Sequence, residues 1–175
     1  MKKEKGLVYV FTGKGKGKTS AAMWTAIRSV VWGKDVLVIA WYKEKKWPTA
    51  MQKVNSQFEN LKVKVVGEGF YKLPTDHATE DEHRKSAAEG LKEAEDSLSK
   101  VDVLVLDEVI NAVGDGLIEK EDLLSLLRKR DKTHIILTGR GVFEELQKEA
   151  DLVTEMKKIK HPFDKGIKAV KGLDF

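Results

Sequence analysis

Leu7-Val-Tyr-Val-Phe11, Thr12, then Gly13-Lys-Gly-Lys-Gly-Lys-Thr-Ser20, then an apolar stripe at Ala22, Ala26 and Val30: this opening stretch decides the fold. The uninterrupted apolar run reads as a strand covered on both faces. The four-residue repeat, with Met23, Ile27 and Val31 beside it, gives a helix one broad apolar face. Gly33 is placed to end that helix. Between strand and helix, glycines alternate with lysines. Glycine lets the backbone fold around an anion and turn successive N–H groups inward. The helix behind adds the partial positive charge of its N-terminus. Gly13, Lys14, Gly15, Lys16, Gly17, Lys18, Thr19 and Ser20 are therefore read as a loop for the phosphates of a nucleotide. Lys18 supplies a mobile ammonium, and the Thr19 hydroxyl is placed to ligate Mg²⁺ or Mn²⁺. The usual spacing would put the first glycine at position 12, where Thr12 stands, so the loop is one residue short.

Working outward, Val36–Trp41, Val63–Val66, Val101–Leu106, Ile135–Leu137 and Leu152–Met156 read as further strands, the more polar Val63–Val66 nearer an edge. Ala87, Leu91, Ala94 and Leu98 give a second helical stripe, and Leu123, Leu124, Leu126 and Leu127 a third. Strand–helix alternation implies parallel strands joined by right-handed crossovers. The expected fold is a single α/β domain over residues 1–175: a three-layer sandwich with a mostly parallel central sheet, P-loop NTPase-like and RecA-like. Thr75–Glu82 is the least patterned stretch and is expected to be a mobile loop running into its helix.

A nucleotide site of this kind needs a carboxylate at the end of a core strand. Val103-Leu-Val-Leu-Asp-Glu108 offers two, Asp107 and Glu108, at the edge where α/β sheets bind ligands. One is expected to hold the divalent ion directly or through water, the other to stand behind it; a plain helix cap is the competing reading. Thr138-Gly-Arg-Gly141 ends the next strand on the same edge. A rigid, always-charged guanidinium there suits phosphate, which makes Arg140 a candidate phosphate-site residue beside Lys18. The structural alternative for Arg140 is a salt bridge to a core carboxylate.

Composition narrows the class. The 32 Lys and Arg against 28 Asp and Glu leave a net charge of +4, too small a surplus for a dedicated nucleic-acid binder. With no cysteine, disulfides and thiolate chemistry are excluded. No apolar run approaches the ~20 residues that span a bilayer. The run Leu7–Phe11 behind the charged Met1–Lys5 is shorter than a secretion signal requires. A cytoplasmic protein without membrane or nucleic-acid partners is expected. His77, Glu80, Asp81 and His83 are read as the solvated first turn of a helix, and His134 as structural. The runs Lys43–Lys46 and Arg128–Lys132 read as solvated faces. Trp41, Tyr42 and Trp47 either line the cleft or pack at its edge.

Together these pieces resemble one family over nearly the whole chain, the ATP:corrinoid adenosyltransferases of the phosphate-loop type. The resemblance rests on the short loop Phe11–Thr19, on Gly67-Glu-Gly-Phe70, on Val105-Leu-Asp-Glu-Val109, on Leu137-Thr-Gly-Arg-Gly141, on Ala150–Met156 and on the tail Lys160–Phe175. It implies transfer of the 5′-deoxyadenosyl group of ATP, bound on the loop Gly13–Ser20, to the Co(I) of a reduced corrinoid, cobalamin or a precursor, with release of triphosphate and with Lys18 and Arg140 as the catalytic residues that stabilise the leaving charge. It also implies ATP lying reversed along the loop, an electron donor such as a flavoprotein, and a homodimer. In the family, aromatic residues after Gly-Glu-Gly displace the corrinoid's lower axial ligand. Phe70 matches the first; the second, usually Trp, is Lys72 here, with Tyr71 between them. Phe70 and Tyr71 are thus the corrinoid-site candidates, with core filling the alternative for Phe70. Lys160, His161 and Lys171 either reach the site or pack on the sheet edge. Two other readings stay open: a P-loop ATPase or phosphotransferase releasing ADP, and a non-catalytic module using ATP as a switch.

Overall fold

The computed structural model describes residues 5–44, 46, 49–74 and 76–174. The apolar runs form six strands: β1 (Val8–Thr12), β2 (Val36–Ala40), β3 (Leu61–Val65), β4 (Val103–Asp107), β5 (His134–Thr138) and β6 (Leu152–Glu155). They join in one sheet in the order β3-β2-β4-β5-β1-β6, every neighbouring pair parallel. The mostly parallel expectation thus becomes a wholly parallel sheet. The polar β3 lies at an edge, as its alternating lysines imply. The α/β architecture, with β5 between the loop strand β1 and the carboxylate strand β4, is that of P-loop NTPases.

Two cores flank the sheet, because alternate strand residues face opposite ways. Val36, Val38, Ala40, Val103 and Val105 pack against Ala22, Ala26 and Val30 of α1 (Lys18–Val31). Leu37, Ile39, Trp41, Leu104 and Leu106 pack with Ala87 and Ala94 of α3 (Glu80–Ser97) and Leu123, Leu126 and Leu127 of α5 (Lys120–Arg128). Each fully buried aliphatic side chain contributes roughly 1.5–3 kcal/mol. Gly33 ends α1 in the left-handed region (φ 75°), as its position implies. Val31 leaves the stripe and is exposed, since the helix rotates it off the sheet in its last turn.

Three short helices escape a periodicity reading because none completes two turns: α2 (Ala50–Val54), α4 (Val109–Gly114) and α6 (Glu144–Glu149). Several surface readings also change. Trp41 is buried, its indole N–H directed at the Ala87 carbonyl, and it crowds Gly90, where a Cβ would sit 2.9 Å from the indole. Trp47 and Thr75 lie outside the described residues. Arg130 is no part of a solvated face: its buried guanidinium donates to the carbonyls of Gly6 and Leu127, both at 2.6 Å. His134 is structural, as expected, its Nδ1 accepting the Leu7 N–H. Among the described residues, no helix is long and apolar enough to cross a membrane.

Candidate functional site

Because every strand runs the same way, the loops after them meet at one edge of the sheet. They enclose a cleft of about 1340 Å³. Gly13 to Ser20, Phe70, Tyr71, Glu108 and Arg140 all border it, so nearly every site residue expected from sequence is gathered there. Asp107 is not on its wall but behind it.

The phosphate loop needs its glycines for two reasons. Gly13 (φ 99°) and Gly17 (φ 118°) adopt the left-handed backbone that turns the chain into α1. The segment after β6 also presses on the loop. The Gly15 N–H donates to the Met156 carbonyl at 2.7 Å, and a Cβ on Gly13 would lie 2.4 Å from that same oxygen. Lys18 folds back over the loop and donates to the carbonyls of Gly13 and Gly15, both at 2.8 Å. Burial, then the nearby Arg140, hold its pKa below the ordinary lysine value, against the pull of Glu108 and Asp107. Lys14 and Ser20 are exposed on the cleft, and Lys16 is paired with Asp174 of the tail.

Asp107 is fully buried and saturated. Its Oδ1 accepts the hydroxyls of Thr19 (2.8 Å) and Thr138 (2.7 Å), and its Oδ2 pairs with Lys43 Nζ at 2.7 Å. Lys43 was expected on a solvated face. The structure corrects this: the chain turns inward at Tyr42 (φ 60°), and the Lys43 side chain is only 17% exposed. Burial depresses its pKa, yet Asp107 and Glu108 outweigh that and raise it. Glu108 also has a positive φ, 65°, and its N–H donates to the Thr138 hydroxyl at 2.8 Å. This twist sends successive acids to different places: Asp107 into the core, Glu108 to the cleft. Burial chiefly raises the Glu108 pKa, with Lys43, Lys18 and Arg140 pulling it back.

Arg140 is held by its backbone, whose N–H donates to Asn111 Oδ1 at 2.6 Å. Among the described residues, it makes no ion pair with a carboxylate, so the salt-bridge alternative is not what the structure shows. Opposite the loop, Phe70 (45% exposed) and Leu73 (49%) form an apolar wall with Tyr71. Tyr42 stands beside them, its hydroxyl donating to Asp115 at 2.6 Å. Burial, then that bond, raise the phenol's pKa and keep it protonated. The tail completes the rim through Lys158, His161, Phe163, Asp164 and Asp174, whereas Lys160 and Lys171 are not on the wall.

Sequence reading missed Lys43, Thr138, Asn111 and the pair His83–Asp76. His83 was assigned to a solvated first turn; it is in fact buried, and its Nε2 lies 2.9 Å from Asp76 Oδ1. The signal available was Thr79-x-x-Glu82, a capping box that starts α3 at Glu80 and turns His83 inward. The stretch expected to be a mobile loop is therefore already helix from Glu80 and is tied down at Asp76. Among the described residues, no group of three or more His, Cys, Asp or Glu side chains could hold a metal ion. The hard oxygens of the Thr19 hydroxyl and Glu108 do suit a Mg²⁺ that keeps water and phosphate oxygens for its other positions.

Parallel sheet, glycine–lysine loop after β1 and a carboxylate-ended strand, β4, separated from it by β5 define a phosphate-loop nucleotide-binding protein. The family model described as ATP:corrinoid adenosyltransferase BtuR/CobO/CobP matches residues 4–175, and the chain belongs to that family. It is 35% identical over 175 residues to a corrinoid adenosyltransferase of Sinorhizobium sp., covering 98% of this chain and 81% of the relative. The corrinoid adenosyltransferase of Escherichia coli K12 is 34% identical over 179 residues, with 98% and 87% covered. That of Pseudomonas aeruginosa is 35% identical over 178 residues, with 98% and 85% covered.

Proposed function

We propose that the protein transfers the 5′-deoxyadenosyl group of ATP to the Co(I) of a reduced corrinoid and releases triphosphate. Family membership supports ATP-dependent adenosylation of a corrinoid. The observation that carries the finer reading is that one cleft joins a polyphosphate cradle to an aromatic wall. An ATPase that hands phosphate to water needs only the first.

In this reading the loop N–H groups, Lys18 and Arg140 neutralise the charge that grows on the departing triphosphate. The reduced cobalt is the nucleophile, so the protein supplies no Ser or Cys nucleophile and instead aligns two substrates. Thr19 and Glu108 are the residues that would hold Mg²⁺ or Mn²⁺. Such an ion would supply charge stabilisation at the phosphate oxygens. Asp107, with both oxygens engaged, acts through Thr19 by fixing its hydroxyl. Phe70 and Tyr71 face the corrinoid. An external electron donor, such as a flavoprotein, and a homodimer accompany this assignment.

The test is anaerobic incubation with ATP and a chemically reduced corrinoid, following the corrinoid absorbance and assaying the phosphate product. A cobalt–carbon bond with one triphosphate per turnover is expected. ADP with inorganic phosphate, and no such bond, would refute the reading. Lys18→Ala is expected to lower turnover by roughly 10²–10³-fold with the fold intact.

A further inference from the structure

The segment between β3 and α3 forms the apolar wall, yet little in its own backbone fixes its shape. Gly67 (φ 136°), Gly69 (φ 97°) and Lys72 (φ 57°) all leave the right-handed and extended regions. For a lysine this conformation is uphill and must be held from outside. Asp76 holds it. Its Oδ2 accepts the Lys72 N–H at 2.8 Å, while its Oδ1 accepts the Ala78 N–H at 3.2 Å and meets His83 Nε2 at 2.9 Å. His83 sits in α3 and is only 3% exposed. A buried imidazole is retained where it makes bonds that offset its desolvation.

The His83 bond, followed by the backbone bonds, pushes the Asp76 carboxyl down to about 2, so it is ionised at any working pH. An ionised carboxylate can only accept, so Nε2 carries the proton and donates. The other side of the same imidazole meets Tyr71 edge-on, ring centroids 5.0 Å apart at 62°. The Lys72 ammonium stands 4.6 Å over the Tyr71 ring. One pair, a buried imidazole and a partly buried carboxylate, thus touches both the strained turn and the aromatic ring beside Phe70.

We propose that His83 and Asp76 are positioning residues for the corrinoid: they hold the Lys72 turn and the Tyr71 ring so that Tyr71, with Phe70, forms the aromatic face against the macrocycle. This rests on the adenosyltransferase reading of the cleft. The turn directs Tyr71 to the cleft and leaves Lys72 off its wall, so Tyr71 supplies the second aromatic surface. A flat, rigid ligand gains most from a face ordered before it arrives, because the ordering cost is already met.

The test compares His83→Leu, His83→Gln, Asp76→Asn and Tyr71→Ala with the wild-type enzyme. It measures KM for corrinoid and for ATP, the dissociation constant of a Co(II) corrinoid from the ATP-loaded enzyme by its absorbance change, and thermal unfolding. His83→Leu is expected to weaken corrinoid binding by about tenfold, the loss of one charge-assisted bond, with KM for ATP unchanged within twofold. His83→Gln, which keeps a donor to Asp76, recovers part of the loss. Tyr71→Ala matches the loss, and adding His83→Leu to it costs little more. Equal shifts in both KM values, or unchanged corrinoid binding in a folded His83→Leu enzyme, would overturn the proposal. Should His83→Leu fail to fold, the same split in Asp76→Asn and Tyr71→Ala decides. A wild-type enzyme that never forms the cobalt–carbon bond would refute the function itself; one that forms it while the variants show no split refutes the clamp alone.

Discussion

Replacing Lys43 with methionine tests the most consequential contact in the site. Lys43 Nζ lies 2.7 Å from Asp107 Oδ2, with side chains 17% and 1% exposed. At an effective dielectric of about 20, Coulomb attraction at this 2.7 Å separation is about 6 kcal/mol. Desolvation of both ions offsets part of that, and the measured cost of removing one partner of such a buried pair is about 3–5 kcal/mol. Lys43→Met leaves Asp107 with its two hydroxyl donors, Thr19 and Thr138, but no cation to balance its charge. The expected loss is therefore about 3–5 kcal/mol of unfolding free energy in urea, a fall in Tm of roughly 6–20 °C for a chain of this size. Because the pair is buried, moderate salt should change the loss little. A cycle with Asp107→Asn should show a coupling of about 2–3 kcal/mol. A loss below about 1 kcal/mol with no coupling, the behaviour of an exposed pair, would refute the reasoning.

Three further outcomes are expected. Gly139→Ala forces a Cβ to 2.6 Å from Ile110 Cβ at φ 147°, and should destabilise by more than about 1 kcal/mol in urea titrations, whereas Gly141→Ala, with open space around it, should cost less. Asp174→Asn frees Lys16 from an ion pair at the cleft rim; Tm should barely move, as for other exposed pairs, while the Kd for ATP should tighten by about fivefold. The raised pKa of Glu108 sets two pH effects. Activity should fall on acidification at a pH above the ordinary glutamate range, a limb that Glu108→Gln abolishes in a pH–rate profile. Between the ordinary and the raised value the native state binds more protons than the unfolded one, so stability should decrease as pH rises through that window, and urea midpoints that Glu108→Gln leaves unchanged in their pH dependence across it would refute the shift.

Much of this site was legible because its chemistry is local in sequence. Loop, strand and helix are consecutive at the N-terminus, and Asp107, Glu108 and Arg140 each follow an apolar run. What stayed hidden depends on contacts across the sheet. Lys43 sits among lysines and reads as solvated until β2 is seen beside β4, with Ala40 in register with Asp107. His83 lies on a helix whose other first-turn side chains are charged and exposed, and only its partner Asp76, seven residues earlier, explains its burial. Arg130 reads the same way until Gly6, across the sheet, is seen to accept from it. The division of labour between Asp107 and Glu108 turns on one positive φ, which no composition rule assigns to a glutamate.

Wholly parallel topology explains why two such unlike substrate surfaces share one edge. In an antiparallel sheet, consecutive loops alternate between edges, and the loop after β1 would face away from half of the others. Here each crossover returns the chain to the same starting edge, so the ends of β1, β2, β3, β4 and β5 all open into one cleft. The order β3-β2-β4-β5-β1-β6 then sorts chemistry by position: the glycine loop follows β1 on one side, the aromatic segment follows β3 at the far edge, and the buried Asp107 ends β4 between them. Asp107 bonds to Thr19 and Lys43, which follow β1 and β2, and to Thr138, which ends β5. The spacing of the nucleotide cradle from the aromatic wall is therefore set by the rigid 4.7–4.9 Å pitch of paired strands rather than by flexible loops. The proposed transfer, which must bring a metal centre and a sugar carbon to within roughly 3–3.5 Å, would require that kind of ruler.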